Sequence, residues 1–261
     1  MPPSTPSLPT LLHSSLSSTP SIPLPSLPFL TQLCASRVPP PPLASLLATA
    51  RARILAADLT TPQLLDPTYI SSHSFPSNLY NPQTESLSLS IDTIVQVLDI
   101  ENLSKSRWEQ IEELEAAARG ETKRGREIIR ITEDENNNNN NDNAIDRGQT
   151  QATQAQTQAA QQQQQQQQQN TKATHKLLLQ DVKGQKVYGL ELHKVDSIGV
   201  DTISIGGKVL LKRGTKVCRG VVMLEPGFTV VLGGKVGVWD KSWREGRLER
   251  LKRSAEGGGE N

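Results

Sequence analysis

Between Thr174 and Gly234 five short apolar runs follow one another: HKLLLQDV, KVYGLELHKV, GGKVLLKRG, KVCRGVVMLEP and GFTVVLGGKV. Each is rich in β-branched and aliphatic residues and is cut by glycine or charge, the rhythm of a small all-β sandwich or barrel. The intervals leave no room for crossover helices. In KVYGLELH, Tyr188, Leu190 and Leu192 alternate with Gly189, Glu191 and His193, which places the tyrosine in register with core leucines. Glu225-Pro226-Gly227-Phe228 has the residues of a type II turn, and Arg213-Gly214-Thr215-Lys216 suits a tight hairpin. Upstream, Ser86 to Ile100 alternates and then becomes wholly apolar around Ile94, Val95 and Val97, a strand that opens the barrel.

Helical spacing governs the earlier part. Pro28 to Arg37 and Leu43 to Leu59 flank Pro39–Pro42, which no helix interior accommodates, so two helices with a rigid break are expected. Leu43, Leu46, Leu47, Ala50, Ile54 and Ala57 or Asp58 recur near helical spacing and give the second helix an apolar stripe that must pack on something. Residues 60–82 carry four prolines and read as an ordered loop. Ser104 stands as N-cap of an acidic amphipathic helix ending at Gly120, with Trp108, Ile111 and Leu114 on one side. Trp239 to Arg253 predicts a basic helix over one end of the barrel, weakened at Gly246.

Composition divides the chain further. Residues 1–27 read as a disordered Pro/Ser-rich tail, 28–84 as the helical segment and its loop, 85–253 as the barrel domain, and 254–261 as a short tail. Within the barrel domain, residues 105–173 form an insertion whose Asn/Gln-rich part, 136–170, has nothing apolar to bury and is expected to be disordered. Lys123, Arg124, Arg126 and the pair Ile128–Ile129 are its informative part, expected to contact a partner while the homopolymers stay passive.

The net charge of +1 hides an asymmetry. Glu85 to Gly120 carries eight acids against three bases, whereas Thr171 to Arg253 carries seventeen Lys/Arg against eight Asp/Glu. The barrel is therefore basic and its partner is expected to present acidic or phosphate groups. Cys34 and Cys218 lack metal-ligand spacing and read as ordinary thiols of a reducing intracellular compartment. No continuous signal-peptide core or Arg-rich presequence is legible, and no apolar run reaches the ~18 residues of a membrane helix, so no membrane partner is expected.

No nucleotide, metalloprotease, serine-hydrolase or CxxC motif occurs, and His13, His73, His175 and His193 are isolated in sequence, so neither enzyme activity nor a cofactor is expected. Gly206-Gly207-Lys208 is a turn into a strand and not a phosphate cradle. A basic barrel suggests single-stranded nucleic acid, yet only Tyr188 and Phe228 are aromatic between His175 and Gly234, and the ~1–3 kcal/mol per stacked base has little source.

The run KLLLQDVKGQKVYGLEL with IGGKVLLKRGTKVCRGVVMLEPGFTVVLGGKV resembles the N-terminal OB-fold of the RecQ-mediated genome instability protein 1 family, in its fungal form. LLATARARILAADLT resembles the family's preceding helical segment, and SLSLSIDTIVQVLDIENLSKSRWEQIEELE its first strand and following helix. The resemblance implies a mainly β fold with a helical N-terminal segment: a five-stranded OB-fold barrel with a long insertion between its first two strands. It further implies a nuclear, non-catalytic subunit of a RecQ-family helicase and topoisomerase III complex that dissolves double Holliday junctions, meeting DNA mainly through the complex, with only weak direct binding. The barrel would dock on the topoisomerase, with Lys208 the first residue expected at the contact and Lys212 and Arg219 the next choices. The alternative is a single-stranded nucleic-acid-binding OB protein.

Overall fold

The computed structural model describes residues 7–19, 21–36, 39–79, 83–120 and 173–256. Three helices lead the chain: α1 (Leu8–Ser17), α2 (Leu27–Ala35) and α3 (Leu43–Ala56). Proline stands in the first turn of α1 and α2, where its missing N–H costs no helical bond. Ser26 caps α2 by accepting the N–H of Phe29. The stripe expected on α3 is buried at Leu46, Ala50 and Ile54, which join Leu12, Leu16, Leu30 and Leu33 in one apolar cluster.

The disordered tail expected over residues 1–27 is corrected by α1. Leu8, Leu12 and Leu16 recur every fourth residue and pack into that cluster. The serines that imitate linker composition bond back to their own helix, Ser14 and Ser15 both donating to the Leu11 carbonyl at 3.0 and 2.9 Å. Within the expected loop over 60–82 a short helix, α4 (Pro67–Ser72), forms behind the capping carboxylate of Asp66.

Eight strands follow: β1 (Ser86–Ser88), β2 (Thr93–Asn102), β3 (His175–Gln180), β4 (Lys186–Glu191), β5 (Lys208–Leu211), β6 (Lys216–Cys218), β7 (Val221–Leu224) and β8 (Thr229–Gly233). Their order is β1-β6-β7-β4-β3-β2-β5-β8, which hides a closed circuit. β1 and β2 pair with β6 and β5 in one antiparallel register, from Ser86↔Cys218 to Gln96↔Lys208, so each of these couples is a single bent strand. Leu89 N–H donates to Thr215 O at 2.9 Å across the bend. Counted this way, β1/β2, β3, β4, β7 and β6/β5 close on themselves through the parallel β4–β7 contact, and β8 adds to the outside of β5. This is the expected five-stranded OB-fold barrel, and the chain between its first two strands is the site of the insertion. Inside it lie Val95, Val97, Leu177, Leu179, Val187, Val209, Leu211, Val222 and Leu224.

Turn chemistry departs from expectation in two places. Arg213 to Lys216 makes no hairpin; it lies in the bend between β5 and β6. The two-residue hairpin is Arg219-Gly220, with φ of 48° and 78°, joining Cys218 to Val221. Residues 225–228 do close a turn, Phe228 N–H donating to Glu225 O at 3.0 Å, but Gly227 has no positive φ, so it is not of type II.

The chain divides into two units, residues 1–104 with 174–247, and 105–173 with 248–261. The expected single helix over 239–253 is two, α6 (Gly237–Glu245) and α7 (Arg247–Glu256), interrupted at Gly246. In the second unit α5 (Arg107–Ala118) is capped by Ser106, which accepts the Glu109 N–H. Ser104, the expected cap, instead accepts the Thr174 N–H at 2.8 Å. Ile111 is buried as expected, whereas Trp108 is 60% exposed. α7 meets α5 through Lys252 Nζ to Glu115 at 2.7 Å and Arg107 to the Ser254 carbonyl at 2.9 Å.

Candidate interaction surface

A barrel strand presents every second residue outward, and this barrel has two outward apolar faces with different fates. On β2 and β5 the outward residues are Ile94, Gln96, Lys208 and Leu210, paired Ile94↔Leu210 and Gln96↔Lys208. The helical segment covers them: Ile94 and Leu210 belong to the helical cluster with Leu46, Ala50 and Ile54. All four residues of β5 are consequently buried. Gly234, at φ 81°, is where the covering comes closest, since a Cβ there would collide with the Leu55 carbonyl of α3.

Two polar groups on this covered face are held by hydrogen bonds. Gln96 donates to Asp58 Oδ1 at 2.7 Å and to Gln180 Oε1 at 3.0 Å, and accepts the Leu59 N–H at 3.0 Å. Lys208 Nζ donates to the Ala57 carbonyl at 2.8 Å and to the Gly206 carbonyl. Burial pushes its ammonium down to about 8, against the opposing pull of the Asp58 charge. Burial also raises Asp58, but hydrogen bonds from Gln96 and Thr60, together with the Lys208 charge, outweigh it and leave the carboxyl below its ordinary value.

This corrects the expectation that Lys208 contacts the topoisomerase. The side chain has no exposure, and it ties the end of α3 to the barrel. The sequence signal was the run KVLL, apolar in both phases and thus marking a strand covered on both faces.

The second face lies on β3, β4 and β7. Here the expected phase is inverted: Val187, Gly189 and Glu191 point inward, and Tyr188 and Leu192 stand 51% and 55% exposed. Gly189 is drawn inward by packing, because its Cα position leaves a Cβ only 3.0 Å from Leu179 Cδ1 and 3.2 Å from Leu224 Cδ1. Glu191 is tolerated inside because His175 Nδ1 lies 2.6 Å from its Oε2, while the backbone N–H groups of His175 and Val195 donate to it at 2.9 and 3.0 Å. Burial raises this carboxyl, yet those bonds and the neighbouring charges hold it below its ordinary value. His175, isolated in sequence, thus has a buried partner sixteen residues away.

Register assembles the outward residues into two rows. Leu178 stands beside Tyr188, Val221 and Cys218; Lys176 stands beside Leu190 and Met223. Leu178, Leu190, Val221 and Met223 are half-buried and belong to neither apolar cluster. Lys176 Nζ lies 5.2 Å from the centre of the Tyr188 ring and pairs with Glu101 at 2.7 Å. Lys186, Lys216 and the exposed Arg219 of the β6–β7 turn add cations around these rows.

Lys212, also exposed, donates to the Gly227 carbonyl at 3.2 Å in the β7–β8 turn. Lys208, Lys212 and Arg219 therefore do not form one cluster: the first is internal and only Arg219 adjoins the open rows. Lys123, Arg124 and Arg126, with the expected disorder of 136–170, lie outside the described residues.

Two family models match the chain. Residues 75–247 fit the one described as RMI1, N-terminal OB-fold domain, and residues 16–62 the one described as RMI1, N-terminal helical domain. Among curated proteins, RecQ-mediated genome instability protein 1 of Schizosaccharomyces pombe is 29% identical over 160 residues, a match spanning 61% of this chain and 63% of that relative's length.

Proposed function

The chain belongs to the RMI1 family, and from that premise we propose that it is a non-catalytic scaffold and regulatory subunit joining a RecQ-family helicase to topoisomerase III. Within that complex it supports dissolution of double Holliday junctions, stimulates decatenation and works in the nucleus for genome stability. The name of the fission yeast relative supports the link to RecQ and to genome stability. The observation that carries the scaffold role is the open face of the barrel: Leu178, Tyr188, Leu190, Val221 and Met223 lie outside both apolar clusters and among cations. A surface of that kind is suited to a partner.

Gel filtration of the full chain mixed with its cognate topoisomerase III and RecQ helicase, followed by a decatenation assay, tests the reading. Co-elution and faster decatenation are expected. Separate elution with unchanged decatenation would contradict it.

The nucleic-acid reading gains one observation, because Tyr188 is outward on the third barrel strand, in the second-and-third-strand face through which OB-folds take oligonucleotides. One tyrosine among aliphatic side chains supplies a single stacking platform, so protein docking remains the better-supported use.

A further inference from the structure

We propose that the exposed side of α3, together with Lys235, binds the sugar–phosphate backbone of duplex DNA without regard to sequence, a role of the helical segment separate from protein docking on the barrel. The inference begins with charge. Residues 1–57 and 226–239 contain no aspartate or glutamate, yet they carry Arg37, Arg51, Arg53 and Lys235, the first of these outside the described residues. Packing brings the two stretches together. Gly234 lies so close to the Leu55 carbonyl of α3 that a Cβ would collide with it, so Lys235 emerges beside the last turn of that helix. Arg51 precedes Leu55 by one helical turn and stands on the same flank, whereas Arg53, rotated about 200° from Arg51, stands on the other.

Arg51, Arg53 and Lys235 are exposed and form no ion pair among the described residues. The acids that border these stretches in sequence are already engaged. Asp58 accepts from Gln96 and Thr60 and faces the charge of Lys208. Asp240, whose carboxylate also feels Lys235, accepts the Ile205 N–H at 2.9 Å and is bonded to Arg244 at 3.1 Å.

A fixed surface of unneutralised cations attracts phosphates, and three observations narrow the ligand to a duplex. Between the arginines the exposed side of α3 is Ser45, Ala48, Ala52 and Ala56, small residues that offer no anchor to a protein hot spot. Large apolar side chains are sparse: Leu43 lies at the opposite end of α3, and Val238 is the one exposed large hydrophobic residue of α6. Neither α3 nor residues 229–238 has an aromatic side chain, so the bases of a single strand find no stacking platform. A duplex needs neither anchor nor platform, because cations meeting its outer phosphates position a protein on it.

Fluorescence anisotropy of a labelled duplex with the full chain, over a series of salt concentrations, tests the site, with single-stranded oligothymidylate as the second probe. Arg51→Glu/Arg53→Glu should weaken duplex binding at least ~10-fold at low salt. Arg51→Gln/Arg53→Gln should flatten the slope of log affinity against log salt by about 2, and Lys235→Gln by about 1, as phosphate contacts are lost. Thermal unfolding of these variants should match that of the unsubstituted chain, since the side chains are exposed. Lys216→Glu/Arg219→Glu alters the net charge equally at the β6–β7 turn and should change duplex affinity by less than about 3-fold.

Unchanged duplex binding in the α3 variants, equal loss in the two charge-reversed variants, or no duplex binding by the unsubstituted chain at low salt would overturn the proposal. Tighter binding of oligothymidylate that is lost in Tyr188→Ala would place nucleic acid on the barrel and overturn it. Loss of co-elution with topoisomerase III in Arg51→Glu/Arg53→Glu, with duplex binding intact, would give α3 to a protein and overturn it as well. The scaffold reading is judged separately, by co-elution of the unsubstituted chain with its partners.

Discussion

The two outer faces of the barrel begin from the same chemistry and end differently. On β2 and β5 the outward Ile94 and Leu210 lie beneath helices of the same chain, and even Lys208 loses all contact with water. On β3, β4 and β7 the outward Leu178, Tyr188, Leu190, Val221 and Met223 have no such cover among the described residues. Apolar residues in both phases of a strand therefore announce that both faces want burial, but not which partner supplies it. One face is satisfied within the fold and contributes stability, while the other stays half exposed among the described residues.

Substitutions should separate these roles, and the largest difference is expected from deleting a covered side chain. Ile94→Ala removes a residue 1% exposed and should cost about 2–5 kcal/mol of unfolding free energy. Leu190→Ala on the open face should stay within about 1 kcal/mol. Denaturant unfolding of both variants measures the contrast, and equal losses would break it.

A smaller effect is expected at Gln96, which is fully buried and serves three partners. Gln96→Leu should destabilise by about 1–3 kcal/mol, because the Leu59 N–H and Asp58 lose a bonded neighbour away from water. Denaturant unfolding again reads the result; an unchanged midpoint would place the joint between helices and barrel elsewhere.

Lys208 gives the covered face a pH signature. Its folded value of about 8 lies below the ordinary 10.5, so between these values the unfolded chain binds the extra proton. Stability from this group therefore rises as pH goes from about 8 to about 10.5, and below that window its buried charge is a cost of order 3 kcal/mol. Unfolding of the unsubstituted chain and Lys208→Met across that window should show the former gaining on the latter. Parallel curves would contradict the internal position of the ammonium.

Least effect on stability is expected for Tyr188→Ala, within about 0.5 kcal/mol by thermal unfolding, since the ring is half in solvent. A larger loss would mean that this face also serves the fold.

Much of the architecture was legible in the chain. The barrel followed from the spacing of apolar runs, and the α3 stripe from Leu46, Ala50 and Ile54, because burial enforces those periods. The phase of β4 was not legible: Tyr188, Leu190 and Leu192 look like a core set until Gly189 is seen against Leu179 and Leu224, and Glu191 against His175. Tertiary partners decide such a strand, and they are distant in sequence. Lys208 failed for the same reason, since its acceptor at Ala57 is 151 residues away. Of the expected contacts, Arg219 adjoins the open rows and Lys212 lies on another turn, both exposed as a charged turn residue commonly is.

Oxidative footprinting of the full chain, free and mixed with cognate topoisomerase III and RecQ helicase, reads the two faces together. The expected result is modification of Tyr188 and Met223 in the free chain, their protection in the mixture, and little modification of Ile94 or Leu210 in either state. Equal modification of Tyr188 and Met223 with and without partners, or ready modification of Ile94 and Leu210 in the free chain, would contradict a barrel with one face covered by its own helices and the other reserved for a partner.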